Sequence, residues 1–240
     1  YLPAATPQQA MAVATQVRDA LQRNVENSTW LGETAKQEAR KKIGKMGIEI
    51  GAPRRDLDYS VQPMGRGSFG GNMLIASTWR HREEMKRIGR GNAERRWDVL
   101  PQQPALAYDL AHNRLIVTAA MLQAPVFDPA MPLAGQYGAF GALVGHEISH
   151  AVDGRGRMVD ADGNVRDWWT GAEAGAWDVT AQRVVSLYDG LVYPGLPALK
   201  VNGKLTRDEN VADLAGLELA RAALVAAEPK GGATADKAFY

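Results

Sequence analysis

The residues with the clearest potential for chemistry form one short segment, His146-Glu147-Ile148-Ser149-His150. Because positions i and i+4 lie on one face of a helix, two neutral imidazoles at this spacing can bind one zinc ion. Glu147 lies on the flank of that face, where it can reach a water molecule at the metal and act as a general base. A chain of this composition contains about 0.003 such patterns by chance, so the segment predicts metal chemistry.

A zinc site that performs catalysis needs a third protein ligand and an open fourth position. The other histidines, His81 and His112, have no partner at metal-ligand spacing. Glu209 and Asp213 are again four residues apart, so one carboxylate can bind the metal while the other accepts a hydrogen bond from a ligand imidazole. The alternative is structural: Glu209 can form a helix capping box with Thr206, and Asp213 can be a surface residue.

The elements that must position these side chains are mostly helices. Apolar residues recur every four positions from Val13 to Val25 and predict one buried helix face. Two short apolar runs, 105–108 and 114–117, predict a β-hairpin. Further helices are predicted at 33–46, 72–88, 133–152, 171–189 and 208–227.

The composition is that of a globular protein and excludes several classes. The 240 residues are 45% hydrophobic and 23% charged, with 28 basic and 27 acidic residues. This near-neutral balance predicts no nucleic-acid partner. The absence of Cys excludes disulfides, iron–sulfur sites and a thiolate nucleophile. No apolar run reaches the roughly 18 residues of a membrane-spanning helix, and the missing initiator Met suggests a piece of a longer protein.

Further motifs follow the two histidines in a fixed order. They are Gly145-His146-Glu147-Ile148-Ser149-His150, Asp153, Gly156-Arg157, the stretch from Asp160 to Asn164, Asp167-Trp168-Trp169, the stretch from Val201 to Thr206, and the stretch from Glu209 to Asp213. From about Trp30 onward, the order and spacing of these motifs resemble the neprilysin and endothelin-converting-enzyme family of zinc metallopeptidases.

This resemblance implies a fold and a set of catalytic roles. The fold would be mainly α (α+β), a thermolysin-like zinc metallopeptidase catalytic lobe with small β-hairpins that is incomplete in this chain. One Zn2+ ion would be held by His146, His150 and Glu209. Glu147 would be the catalytic base and Asp213 would orient His146. The implied reaction is metalloendopeptidase hydrolysis of peptide bonds by a zinc-activated water.

The resemblance also implies where a peptide substrate binds. Ala105 and Leu106 fall on the strand that pairs with the substrate backbone. The family carries Asn-Ala-Tyr-Tyr there, whereas this chain has Ala105-Leu106-Ala107-Tyr108. The loss of the Asn hydrogen bond would cost about 0.5–1.5 kcal/mol of binding. Four apolar residues are expected in the pocket for the residue after the scissile bond, with core packing as the alternative: Met121, Val126, Ala142 and Leu143.

The family pattern further implies missing partners and a location. Residues 1–100 would be a helical region leading into the catalytic lobe. Residues 101–240 would be the zinc-binding core without the family's C-terminal segment, which carries a later His and Arg. That segment and a capping helical lobe of the parent chain are the expected partners, together with a peptide substrate. Because family members mostly face outside the cytoplasm, we expect an extracytoplasmic (periplasmic or secreted) protein.

Two alternatives remain open at this point. The chain can be a non-catalytic zinc-binding helical module that binds peptides or is structural, as the altered substrate strand suggests. It can also use Gly65-Arg66-Gly67-Ser68-Phe69-Gly70 to bind a nucleotide, although no other nucleotide-binding motif follows. We interpret that segment as a surface loop. The stretch from Asp160 to Asn164 predicts a tight turn, because it lacks the full ligand pattern of a calcium loop.

Overall fold

The computed structural model describes residues 2–3, 5–53, 60, 62–86, 88–89, 97 and 99–228. They belong to two compact units, a larger one within Tyr1–Ala52 and Val99–Tyr240 and a smaller one within Pro53–Asp98. The division into regions 1–100 and 101–240 stays a prediction about the whole protein.

Helices dominate the described residues, as predicted. In chain order they are α1 (Ala5–Asn27), α2 (Glu33–Lys45), α3 (Phe69–Met85), α4 (Leu133–Gln136), α5 (Ala142–Ser149), α6 (Gly171–Tyr188) and α7 (Arg207–Ala227). The α3 helix belongs to the smaller unit and the others to the larger. The predicted apolar stripe of α1, from Val13 to Val25, is buried. In the described part of the chain, no helix has the length and apolar character that crossing a bilayer requires.

Two of the predicted helices have different bounds in the structure. The helix predicted over 133–152 is divided, because a π-helical turn at Tyr137–Gly141 separates α4 from α5, and α5 ends at Ser149. The α3 helix begins at Phe69 rather than at residue 72 and ends at Met85. Its N-cap is Ser68, whose hydroxyl accepts a hydrogen bond from the Gly71 amide at 3.0 Å.

A three-stranded sheet lies beside the helices of the larger unit. Its strands are β1 (Gly47–Gly51), β2 (Leu106–Asp109) and β3 (Arg114–Thr118), in the order β1-β3-β2. The antiparallel β2–β3 hairpin confirms the prediction, whereas β1, which pairs in parallel with β3, was not predicted. A second hairpin, β4 (Val192–Tyr193) with β5 (Leu196–Lys200), is exposed.

The β2 strand forms an edge of the three-stranded sheet. Ala105 accepts the Thr118 amide, and the register pairs Leu106 with Val117 and Tyr108 with Leu115. Because hydrogen-bonded and non-hydrogen-bonded pairs alternate in an antiparallel ladder, the backbone groups of Leu106 and Tyr108 point away from β3. They therefore face the open edge of the sheet, next to α5.

The α5 and α7 helices approach closely at two glycines. A Cβ atom added to Gly145 would lie 2.8 Å from the carbonyl oxygen of Gly216. A Cβ atom added to Gly216 would lie 2.5 Å from the carbonyl oxygen of Ala142 and 2.6 Å from the amide nitrogen of His146. No side chain fits between the two backbones there. The two glycines thus allow α7 to bring its first turns against the histidine-bearing face of α5.

The chain reverses between Asp160 and Asn164, as the turn pattern predicts. Gly163 has a φ of +84°, and the Asp160 carboxylate accepts the amides of Asp162 and Asn164 at 2.9 and 3.0 Å. Trp168 is buried nearby, and its indole nitrogen Nε1 lies 3.3 Å from the carbonyl oxygens of Gly156 and Val159. The segment is a tight turn, in agreement with the prediction.

Candidate metal centre

Three potential metal ligands from two helices converge at the α5–α7 contact. His146 and His150 are four residues apart on α5, the second at its C-cap, and Glu209 lies in the first turn of α7. The Glu209 carboxylate oxygen Oε2 lies 3.2 Å from His146 Nε2 and 3.6 Å from His150 Nε2. The three ligand atoms lie within 4.8 Å of one another. This set of donors fits a divalent metal ion.

The second nitrogen of each imidazole is held by a carboxylate. His146 Nδ1 lies 2.7 Å from Asp213 Oδ1, and His150 Nδ1 lies 2.7 Å from Asp153 Oδ2. With Nδ1 as the donor, each neutral ring directs the lone pair of Nε2 toward Glu209. Asp213 is thus in the position that the sequence predicts for it. The contact of Asp153 with His150 was not predicted, although its place three residues after His150 was an available indication.

Glu147 lies between α5 and the edge strand β2. Its Oε2 accepts the backbone N–H of Tyr108 at 2.9 Å. Burial raises the pKa of the Glu147 carboxyl, although this hydrogen bond and the neighbouring imidazoles act in the opposite direction. A carboxylate with a raised pKa accepts a proton more readily near neutral pH. The contact with Tyr108 was not predicted, because it depends on a backbone group rather than on a side-chain type.

The four side chains of this cluster differ in their exposure. The side chains of His146 and His150 are 17% and 22% exposed, whereas those of Glu209 and Asp213 are 60% and 61% exposed. The carboxylate side of the cluster is therefore open to solvent and to a ligand.

The pKa of His150 is raised above its usual value. Burial disfavours the charged form of His150, but the hydrogen bond and charge of Asp153 outweigh this effect.

The predicted substrate-binding residues lie in three places. Leu106 lies on the open edge of β2, and Ala105 immediately precedes this strand. Ala142 and Leu143 form the first turn of α5, four and three residues before His146, so they lie close to its face of the helix. Met121 and Val126 pack against the hydrophobic core and are partly buried. A pocket role for these residues stays a prediction.

The structural alternative for Glu209 is wrong. Thr206, at the N-cap of α7, makes no side-chain capping hydrogen bond. Its hydroxyl instead donates to the backbone carbonyl oxygen of Asn202 at 3.1 Å. A capping box occurs in α6, between Thr170 and Glu173. Glu209 is thereby left to face the imidazoles.

The other two histidines lie away from this cluster. His81 is an exposed residue of α3 in the smaller unit. His112 lies in the turn of the β2–β3 hairpin, with Nδ1 2.8 Å from Asp109 Oδ2. Within the described residues, His146, His150 and Glu209 form the one group of three or more side chains suited to holding a metal ion.

Comparisons with known proteins all point to one peptidase family. A sequence profile of peptidase family M13 matches residues 107–234. Neprilysin-3 of Drosophila melanogaster is 28% identical over 218 residues, which cover 88% of this chain and 27% of that protein. The chain spans about a quarter to a third of the length of the curated relatives it matches.

Solved structures resemble the chain over nearly its whole length. The crystal structure of PepO from Lactobacillus rhamnosis HN001 has a TM-score of 0.86 and 29% identity, covering 100% of this chain and 37% of that one. The Mycobacterium tuberculosis zinc metalloprotease Zmp1, in complex with an inhibitor, has a TM-score of 0.82 and 28% identity, covering 98% and 37%. The fold around the candidate metal centre is therefore shared with these structures.

Proposed function

Because the chain belongs to peptidase family M13, we propose that it carries the active site of a zinc metalloendopeptidase. The observation that supports this most strongly is the convergence of His146, His150 and Glu209, whose ligand atoms lie within 4.8 Å of one another. The similar protein Zmp1 is described as a zinc metalloprotease, which favours zinc as the metal.

The side chains fit a catalytic rather than a purely structural zinc site. Two imidazole nitrogens and one carboxylate oxygen supply three protein ligands, and catalytic zinc sites keep the fourth position for water or substrate. Asp213 and Asp153 accept the Nδ1 protons of His146 and His150 at 2.7 Å. Such carboxylates fix the ring orientation and raise the basicity of the metal ligand.

Glu147 is the proposed general base. Its Oε2 is engaged by the Tyr108 amide, so we assign Oε1 to the attacking water. A zinc ion held here would polarise the scissile carbonyl and favour ionisation of water. Glu147 accepts a proton from the water at Oε1 and then delivers it to the nitrogen of the leaving amine.

The peptide substrate is proposed to lie along the edge of β2. Leu106 points its N–H and C=O to this edge, and an extended peptide can add to such an edge through backbone hydrogen bonds alone. The missing Asn side chain at Ala105 therefore weakens substrate binding without abolishing it. The pocket for the residue after the scissile bond is proposed to use Met121, Val126, Ala142 and Leu143.

Other parts of the proposal concern the whole protein. We propose that a capping helical lobe and a C-terminal segment of the parent chain complete the active-site chamber around residues 101–240, with residues 1–100 leading into it. An extracytoplasmic location, periplasmic or secreted, is proposed from the family. Neither proposal is needed for the metal centre itself.

The function is tested by peptide cleavage with and without a metal chelator. The protein, in the longest natural form that contains this chain, is incubated with a fluorogenic peptide and zinc. We expect cleavage that 1,10-phenanthroline abolishes and that added zinc restores, because the proposed reaction needs the metal to activate water. Chelator-resistant cleavage contradicts the proposal. An absence of cleavage by a zinc-loaded protein contradicts it too, and favours a non-catalytic zinc-binding module.

A further inference from the structure

Lys42 is a buried lysine that the proposed reaction does not use. It lies near the C-terminal end of α2 and is 1% exposed. Its Nζ donates to the carbonyl oxygens of Gly156 and Val159, at 2.7 and 2.6 Å. Its neighbours on the same helix, Lys41 and Lys45, instead pair with Asp162 at the surface. Burying an ammonium group is costly unless it is hydrogen-bonded, and at Lys42 these two carbonyl groups provide the hydrogen bonds.

The carbonyl group of Gly156 belongs to the turn that follows the C-terminal end of α5. A Cβ atom on Gly156 would lie 2.2 Å from the carbonyl oxygen of His150, so this turn contacts the backbone of the second histidine directly. The Gly156 amide donates to Asp153 Oδ1 at 2.7 Å, and Asp153 Oδ2 lies 2.7 Å from His150 Nδ1. Hydrogen bonds on either side of the Gly156 backbone therefore connect Lys42 to Asp153 and, through Asp153, to the imidazole of His150.

We propose that Lys42 is a positioning residue for the metal centre. Its ammonium group holds the Gly156 turn in place, the turn holds the carboxylate of Asp153, and Asp153 fixes the ring of His150. Burial lowers the pKa of Lys42 to about 8, although Asp153 and Asp160 act in the opposite direction. The group therefore stays mainly charged at neutral pH. This inference rests on the proposed zinc site, since it assigns Lys42 a role toward one of its ligands.

The backbone of Lys42 is connected to the other side of the site. Its carbonyl oxygen accepts Asn113 Nδ2 at 2.8 Å, and Asn113 Oδ1 accepts the Tyr108 hydroxyl at 2.7 Å. The Tyr108 amide, in turn, donates to Glu147. A change of the Lys42 side chain leaves this carbonyl in place. Substituting Lys42 therefore isolates what the ammonium group contributes to His150.

Lys42→Met is expected to weaken zinc binding by about tenfold, the lower end of the effect of removing a carboxylate that supports a ligand. The dissociation constant is measured by competition with a chromophoric chelator. Lys41→Met is the matched control, because it makes the same change on the same helix at the surface, and it should stay within about twofold of the unaltered protein.

A second control distinguishes a positioning role of Lys42 from a contribution to overall stability alone. Val17→Ala opens a cavity in the hydrophobic core next to α1 and lowers stability. It should therefore lower the midpoint of denaturation without changing the zinc dissociation constant of the folded protein. A folded Lys42→Met variant with zinc affinity within twofold of the unaltered protein overturns the inference. So does a Val17→Ala variant that weakens zinc binding as much as Lys42→Met does.

Trp168→Phe keeps the inference testable if Lys42→Met does not fold. This change removes the indole N–H, a second side-chain donor near the carbonyl groups of Gly156 and Val159, and about threefold weaker zinc binding is expected. Unchanged affinity in this variant contradicts the inference. If the unaltered protein binds no zinc, the proposed function itself fails. If it binds zinc and these variants bind it equally well, only the role of Lys42 fails.

Discussion

Replacing Glu147 by Gln is expected to leave zinc bound and to reduce peptide cleavage by about 10²–10⁴-fold, the usual contribution of a general base. The amide cannot accept a proton from water at neutral pH, but its oxygen can still accept the Tyr108 N–H that Glu147 accepts now. The geometry of the edge strand should therefore survive. The measurement is kcat/KM for a fluorogenic peptide, together with the zinc content per chain.

Glu218→Gln is the matched control for this experiment. It makes the same chemical change at an exposed position of α7, and kcat/KM should not change. If Glu147→Gln retains activity comparable with that of Glu218→Gln, Glu147 is not the base. If Glu147→Gln lost zinc together with activity, this would also contradict the proposal, because Glu147 is assigned the role of base and not of metal ligand.

Removal of the Glu209 carboxylate is expected to have the largest effect on zinc binding. Outer carboxylates that support a ligand typically contribute 10–100-fold to metal affinity, so Asp213→Asn should weaken binding by about that factor. Glu209→Ala removes a direct ligand and should weaken binding by more than about 100-fold. Chelator competition measures both variants on one scale.

The adjacent residue Asp208 provides the control for Glu209. Asp208 also carries a carboxylate in the first turn of α7, but it pairs with Arg155 and Arg207 rather than with the imidazoles. Asp208→Ala should therefore bind zinc within a few-fold of the unaltered protein. Equal effects of Asp208→Ala and Glu209→Ala would mean that general charge near the site, rather than coordination, determines the affinity.

Much of the fold could be predicted because helices leave a local pattern in the sequence. The stripe from Val13 to Val25 is set by residues four positions apart, and it becomes the buried face of α1. The β1 strand leaves no such pattern, because its five residues depend on parallel pairing with β3, more than 60 positions away. The π-helical turn at Tyr137–Gly141 was missed for a related reason, since the apolar periodicity continues through it.

The candidate site could be proposed from the sequence because each pair of its side chains is local. His146 with His150, and Glu209 with Asp213, both have the i, i+4 spacing that places two groups on one helix face. That the two pairs meet depends on the close contact of Gly145 with Gly216, which the spacing alone does not indicate.

The supporting contacts could not be predicted in the same way. The Tyr108 amide is a backbone group, and its direction is set by the register of the hairpin. Lys42 looks like one of several basic residues in a charged helix, where the helix dipole alone explains cations near the C-terminus. Only the packing of α2 against the Gly156 turn distinguishes it from Lys41 and Lys45. Long-range contacts of this kind require the folded structure.

The central claim is that two imidazoles and one carboxylate from separate helices bind a single zinc ion. Anomalous diffraction from zinc-loaded crystals, collected on both sides of the zinc absorption edge, tests it most directly. We expect one strong anomalous peak about 2.0–2.2 Å from Nε2 of His146, Nε2 of His150 and the Glu209 carboxylate. An anomalous peak elsewhere, or a zinc-loaded crystal with no peak among these three side chains, would contradict the account.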